Sequence, residues 1–461
     1  MAGTIKGLNR LGKLFIGCIL MLILAGGFFQ VVWAPSLARS AGNPRIQTLR
    51  EQIIRGGIFD YQGRVLAQAG VSSGRYTGPR SLGAIVGYDH RVLGQSGLEQ
   101  AYDQHLLGLT GASLYLCQWR LFKGEKHYGN HLRLTIDVEY QRIAEEALGA
   151  RQGAVVILDP TSGALRALVS YPNFDPNEVY AQWASLREDP AAPLLHRAVQ
   201  GLYPPGSLFK MLVLAAALDT GLYELHDTFL DQTSWLVEGH SLNNAYSTEP
   251  GEISLLEAFR RSSNVVFGQL ALDLGAERLF DYVERLGFGA HKKLGVATSR
   301  PRLNKPATLV ELVQFAIGQG SLLVTPLDMA LLTATIANGG LCPQPYLVEA
   351  LVDADGDEHR LPPALPKRVI SSFAAYQMKR AMLAVVEAGT GTLAQVSGID
   401  IAGKTGSAEN PHGKPHAWFT CFAPAEAPQI VVTVVVENGG SGGQVAAPIA
   451  RRILLEILGE G

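Results

Sequence analysis

The sequence is poor in charge and in cysteine. Only 17% of its 461 residues are charged, 39 basic against 41 acidic, for a net charge of −2. A disordered chain would be charge-rich and apolar-poor; this one is 47% hydrophobic. The near-neutral balance argues against nucleic acid as the main partner, because phosphate binding leans on clustered Lys and Arg. Four cysteines, Cys18, Cys117, Cys342 and Cys421, are too few and too scattered for a disulfide scaffold. They read as small hydrophobes, with one bridge left open. The 51 glycines follow no three-residue period, and no heptads persist, which excludes a collagen-like or coiled-coil rod. No internal repeat is evident. At ~150 residues per domain the length allows two or three domains.

One long apolar run is present. From Leu14 to Ala38 there is no charged residue, and Leu14 to Trp33 alone spans ~30 Å as a helix. Lys6, Arg10 and Lys13 precede it, so the positive-inside rule places residues 1–13 in the cytoplasm. Arg39, Arg45 and Arg50 on the far side weigh against that orientation. Ser36-Leu37-Ala38 could serve as a cleavage site, but the run is long for a signal peptide. An uncleaved single-pass anchor over 14–33 is expected, with the bulk of the chain extracytoplasmic.

Residues 34–131 are Gly-rich and weakly periodic, and read as a membrane-proximal, non-catalytic pedestal with short strands. From residue 132 the pattern sharpens. Leu132–Ile136 alternates like a strand, and Asp137 is placed to cap a helix reaching Leu148. A hairpin follows: Ala154–Leu158, turn residues Asp159 to Gly163, and Ala164–Ser170. A mostly helical middle is predicted from about 195 to 395. Ile399–Ser407, Ala417–Phe422 and Ile430–Glu437 then read as strands, and Ala446–Leu458 as a closing amphipathic helix. Two strands early, three late and helices between predict an α+β domain over 132–461, its sheet closed by distant segments.

Three short elements carry chemistry. The first is Tyr203-Pro204-Pro205-Gly206-Ser207-Leu208-Phe209-Lys210. The prolines fix the entry to a helix predicted from Ser207 to about Thr220, with Gly221 as its cap. That helix is apolar nearly all round apart from Lys210, which implies burial. A desolvated lysine loses its proton more readily and could take the proton of Ser207, on the same helix face. The blander reading is an N-cap serine and a snorkelling lysine. The second element is Ser262-Ser263-Asn264, where Ser262 offers a proton relay and Asn264 an amide for a substrate carbonyl. The third is Lys404-Thr405-Gly406-Ser407 on an apparent strand. Here Lys404 brings charge, Thr405 and Ser407 can bond a carboxylate, and Gly406 lets a ligand backbone approach.

Gly398 to Thr405 also fits the phosphate-loop pattern G-x-x-x-x-G-K-[ST], and Val155–Asp159 imitates its partner strand. The context is wrong. The residues between the glycines look like strand, and Gly406 and Pro411 leave no room for a helix opening at Lys404. His127/His131 and His412/His416 have i, i+4 spacing, but no Cys or Glu completes a metal set. No metal and no cofactor are expected.

Together and in this order the three elements match the Ser-x-x-Lys, Ser-x-Asn, Lys-Thr-Gly set of penicillin-binding proteins and serine β-lactamases. The chain resembles the class B penicillin-binding proteins, the monofunctional peptidoglycan transpeptidases, from about residue 55 to its end. Arg55–Asp60 with Gly63–Ala67, Gly97-Leu98-Glu99 with Tyr102-Asp103 and Leu107-Gly108, Gly318-Gln319-Gly320 with Thr325-Pro326, and His416–Phe419 are similar to further signatures of that family. The resemblance implies a five-stranded antiparallel sheet with helices on both faces and a helical subdomain. It implies that Ser207 is acylated by a stem-peptide D-alanine carbonyl and by β-lactams, with Lys210 as base and Ser262 and Lys404 in the proton network. The N–H groups of Ser207 and Ser407 would form the oxyanion hole. Thr405 and Ser407 would hold the terminal carboxylate. An amine from a second stem peptide would complete the cross-link, and a membrane glycosyltransferase partner would supply the glycan. A D,D-carboxypeptidase or β-lactamase on the same scaffold differs only in what attacks the acyl-enzyme; a wall-synthesis scaffold or β-lactam sensor is the non-enzymatic alternative. Two departures stand out: Tyr61-Gln62 follows Asp60, and the pedestal is short, with Gly97 soon after Ala67.

Overall fold

A computed structural model describes residues 2–29, 50, 52–69, 74–110, 117, 119–120, 122–245, 250–411 and 413–459. These residues form two compact units. One combines 1–55 with 107–129; the other combines 56–106 with 130–461. The unit borders thus fall inside the 34–131 stretch. His412, Arg39, Arg45 and the Ser36–Ala38 segment lie outside the described residues.

In the first unit a helix spans Ala2–Phe28. Its Leu11–Phe28 stretch has mean hydropathy 2.2 and none of it is buried, so it is long and apolar enough to cross a membrane. Residues 30–33 of the expected span lie outside the described residues.

The second unit is built on an antiparallel five-stranded sheet. Its order is Ala402–Ala408, His416–Ala423, Ile430–Val436, Gly153–Leu158, Leu165–Tyr171. The early hairpin and the last three strands meet where Leu158 pairs with Val431. Strand alternation assigns the two faces. Ala154, Val156, Leu158 and Trp418 join a core with the Lys210–Asp219 and Pro326–Ala337 helices. Val155, Ile157, Phe419 and Val434 face the Val138–Leu148 and Ala447–Leu458 helices. Each buried Leu, Ile or Phe here contributes roughly 1.5–3 kcal/mol. Between sheet and helix runs a hydroxyl chain, Thr333 Oγ1 to Thr420 Oγ1 at 2.7 Å and Thr420 Oγ1 to Thr433 Oγ1 at 2.6 Å. It satisfies polar groups that burial would otherwise leave costly.

The expected hairpin turn forms because Asp159 Oδ1 accepts from the backbone of Thr161 and Ser162. Asp137 caps its helix, accepting from Glu139 and Tyr140. Three readings change. The strand predicted from Ile399 starts at Ala402. The helix predicted from Ser207 starts at Lys210, after a 3-10 turn over Gly206–Phe209. There Gly206 turns to φ +55° and gives its N–H to Gly318 O, off the helical path. The middle is not simply helical: Thr228–Asp231 pairs with Gly251–Ser254, and Ser234–Val237 with His240–Asn243. A further five-stranded sheet combines His131–Leu134 with Ile58–Phe59, Val65–Ala67, Val348–Val352 and Glu358–Arg360. The four cysteines are unpaired.

Candidate active site

The Pro204–Ser207 turn is pinned to the sheet. Trp418 Nε1 donates to Pro204 O at 3.1 Å. Tyr203 packs edge-on against Trp418 and donates its hydroxyl to Glu437, which also receives Arg197 Nε at 2.7 Å. A methyl at Gly206 would lie 2.9 Å from Ser407 O, so the turn abuts the Ala402–Ala408 strand closely. That strand is the sheet edge, with one row of backbone groups turned away from the sheet. Lys404, Thr405 and Gly406 all lie on it, paired with Thr420, Phe419 and Trp418. No helix opens at Lys404, which removes the phosphate-loop reading.

Ser207, Ser262, Asn264, Thr405, Gly406 and Ser407 line one cleft of about 480 Å³. The two lysines lie beneath it, both fully buried. Ser262 sits between them. Lys404 Nζ donates to Ser262 Oγ at 3.0 Å and to Thr405 O at 3.0 Å. Lys210 Nζ lies 3.3 Å from Ser262 Oγ, and donates to Ser262 O at 2.6 Å and Asn264 Oδ1 at 2.7 Å. Two of its three tetrahedral positions are therefore spent on carbonyl oxygens. The third carries a proton when the amine is charged and a lone pair when it is neutral. Ser207 Oγ makes no hydrogen bond among the described residues, so its proton is uncommitted. Ser262 adopts φ +62°, a left-handed conformation that a non-glycine residue keeps only when its surroundings hold it. Here the held groups are its own hydroxyl and carbonyl, each facing a lysine.

Burial lowers both amines. It brings Lys404 down to about 7. It drives Lys210 well below the usual lysine range, aided by the charge of Lys404 and opposed by that of Asp231. The faces of Phe267 and Phe259, 5.6 and 5.5 Å from Lys210 and Lys404, attract whichever proton remains. Both amines therefore give up a proton more readily than an exposed lysine does. The folded chain binds these protons more weakly than the unfolded chain. From about pH 7 to the unfolded lysine value near 10.4, unfolding takes up protons, so stability rises with pH. Lys404→Met is expected to remove up to about 1.4 kcal/mol per pH unit of that rise. Urea melts of both forms at pH 7, 8 and 9 measure it; parallel slopes would refute a depressed Lys404.

Sequence reasoning missed three contributors. Asp231, 2% exposed, accepts Ser263 Oγ–H at 2.7 Å and Asn244 Nδ2–H at 2.9 Å. Asn244 Oδ1 in turn accepts the N–H of Asn264 at 2.7 Å. A buried carboxylate on the Thr228–Asp231 strand thus ties down the second element. Thr390 shares a 2.5 Å hydroxyl contact with Thr405. Nothing in a one-dimensional pattern marks these residues: Asp231 stands between Asp227 and the polar run Gln232 to Ser234, in a stretch that reads as loop. Asn264 Oδ1 is held by Lys210, while Nδ2 donates to Asn243 O at 2.7 Å and keeps one N–H. His416 packs against Tyr203, and His131 Nδ1 accepts from Gly57 N.

Comparison with known proteins agrees with this geometry. Residues 153–455 match the penicillin binding protein transpeptidase domain. Peptidoglycan D,D-transpeptidase PbpA of Mycolicibacterium smegmatis is 33% identical over 98% of this chain and 99% of its own length. Peptidoglycan D,D-transpeptidase MrdA of Haemophilus influenzae is 31% identical over 78% of this chain and 62% of its own. The ceftriaxone acyl-enzyme of penicillin-binding protein A from M. tuberculosis superposes with a TM-score of 0.83 at 32% identity, covering 89% of this chain and 100% of that one. A match of this extent, on a fold whose sheet edge and buried lysine pair carry the motifs in order, makes the chain a member of the penicillin-binding transpeptidase family, in its class B branch.

Proposed function

We propose that the chain is a single-pass membrane D,D-transpeptidase that cross-links peptidoglycan stem peptides through an acyl-enzyme on Ser207. The observation that carries this reading is the Lys210–Ser262–Lys404 contact chain buried directly under the cleft that Ser207 lines. Its peptide donor adds along the free edge of the Ala402–Ala408 strand, as extended ligands do at open sheet edges. Thr405 and Ser407 take the terminal carboxylate, and Gly406 lets the donor backbone approach. Ser207 Oγ attacks the penultimate D-alanine carbonyl carbon while its proton passes to Lys210. The N–H groups of Ser207 and Ser407 receive the developing oxyanion. The proton reaches the departing amine through Ser262, backed by Lys404, the C–N bond breaks and D-alanine leaves. Asn264 orients Lys210 through Oδ1 and offers its remaining N–H to the donor.

β-Lactams enter the same path, but the expelled nitrogen stays tethered in the cleft and blocks the second attack. We place the anchor over 14–33 in the cytoplasmic membrane, the pedestal at 34–131 and the catalytic domain at 132–461 outside it. Glycan polymerisation falls to a membrane glycosyltransferase partner. The test is incubation of the full-length, detergent-solubilised protein with a fluorescent penicillin, followed by peptide mass mapping. One stoichiometric, persistent adduct on Ser207 is expected. Rapid turnover would indicate a β-lactamase, and no adduct on folded protein would overturn the assignment.

A further inference from the structure

Beyond Ser262 the cleft does not end. A second cavity, of about 430 Å³, shares Asn244, Ser262, Thr390, Ser441 and Gly443 with the first. Its own lining adds Asp231, Arg260, Arg261 and Gln444. The charges are segregated. Asp231 is buried at the inner wall, tied to Ser263 next to Ser262. Arg261 and Gln444 are exposed, at the outer end. Arg260 and Arg261 lean on a single carboxylate, Glu257, so two guanidiniums share one counter-charge. The shared wall is close-fitted: a methyl on Gly443 would lie 2.4 Å from Thr390 O.

We infer that this second cavity seats the acceptor strand, a peptide bearing a free amine and, farther along, a carboxylate. The inference rests on the transpeptidase reading. An incoming amine must retrace the line along which D-alanine left, past Ser262 and the Thr405 end of the cleft. The adjoining cavity is the room available for the rest of its chain. Asp231 favours an ammonium at the inner end, and Arg261 favours a carboxylate at the mouth. Once the ammonium has lost a proton to the lysine pair, its nitrogen attacks the ester carbon of acyl-Ser207. The C–N bond forms, the C–Oγ bond breaks, and the second amine proton goes to Ser207 Oγ. Water entering instead yields hydrolysis, so occupancy of this cavity sets the partition between cross-linking and loss.

The full-length protein is acylated with a peptide thioester donor and offered one of two N-acetylated tetrapeptide amides. Both carry a lysine side chain as their single amine and differ by Glu against Gln at one position. In the wild type the acidic acceptor is expected to give about fivefold more aminolysis relative to hydrolysis, the size of one partly exposed ion pair. Arg261→Ala should bring the two acceptors to parity. Gln444→Glu, which leaves the Glu257 contacts untouched, should do the same. Acylation by fluorescent penicillin should stay within about twofold in both variants, since neither residue lines the donor cleft. Equal use of both acceptors by the wild type, or an unchanged preference in the variants, overturns the inference while leaving the donor chemistry standing. A wild type that forms no penicillin adduct fails at the earlier step and overturns the reading beneath it.

Discussion

Lys210→Met is expected to slow acylation of Ser207 by a fluorescent penicillin ~10²–10⁴-fold, the span of a lost general base. Desolvation, and then the charge of Lys404, push the Lys210 amine well below the usual lysine range. Carbonyl oxygens hold two positions on its nitrogen, and the third, toward Ser262 Oγ at 3.3 Å, is the one that takes up a proton. Lys404 cannot substitute, because it points at Ser262 and Thr405 O. Met keeps the apolar stem and removes only the amine. Ser262 O and Asn264 Oδ1 then lose a donor at roughly 1–3 kcal/mol each, partly offset because no amine need be stripped of water. The fold should survive with a lowered Tm. Acylation rates by gel band intensity, beside near-UV circular dichroism, make the measurement. Undiminished acylation in folded Lys210→Met would remove Lys210 from the proton path.

Gly318→Ala should be nearly as damaging without touching any polar side chain. Gly318 has φ +74°, and a methyl there would lie 2.0 Å from Gly206 O. Its carbonyl takes the Gly206 N–H at 2.9 Å, the bond that sets the turn carrying Ser207. Alanine costs roughly 1–2 kcal/mol for the left-handed backbone alone, and the clash then moves the turn or the Gly318 loop. At least a tenfold slower acylation is expected, since a displacement of about 1 Å at a nucleophile can cost ~10²-fold. Gly320→Ala is the matched control. It has φ +77°, but its nearest neighbour would be the Gln314 side chain at 3.2 Å. It should lower Tm by the backbone term and leave acylation nearly intact. Equal loss in both variants would mean that the contact with Gly206 is not what matters.

Much of this was legible in the sequence, for identifiable reasons. The sheet was readable because Val155 and Ile157 go one way and Ala154, Val156 and Leu158 the other, and because Asp159 and Asp137 carry local turn and cap chemistry. The motif residues were readable because their spacing is fixed by short elements. The paired strands of 228–254 were not readable. They are four residues each and largely polar, so no periodic signal rises above loop composition. The start of the Ser207 helix was misplaced because Gly206 answers to Gly318, a residue far along the chain. Asp231 escaped for a similar reason: it meets Ser263 only after the Thr228–Asp231 strand has paired with Gly251–Ser254. The fold thus sets a buried carboxylate against the middle residue of the second motif from a strand distant in sequence.

The closure of the sheet has a consequence for how the protein is made. The Gly153–Leu158 strand finds its inner neighbour, Ile430–Val436, only when the last part of the chain has been synthesised. Until then both of its faces, Val155 and Ile157 on one side and Ala154 and Val156 on the other, have no sheet to join. A chain synthesised N-terminus first must therefore keep that hairpin from aggregating until Ile430–Val436 has been made. Lys404 reaches Ser262 only on a strand that pairs with His416–Ala423, so the cleft is completed late, when the final strands have arrived.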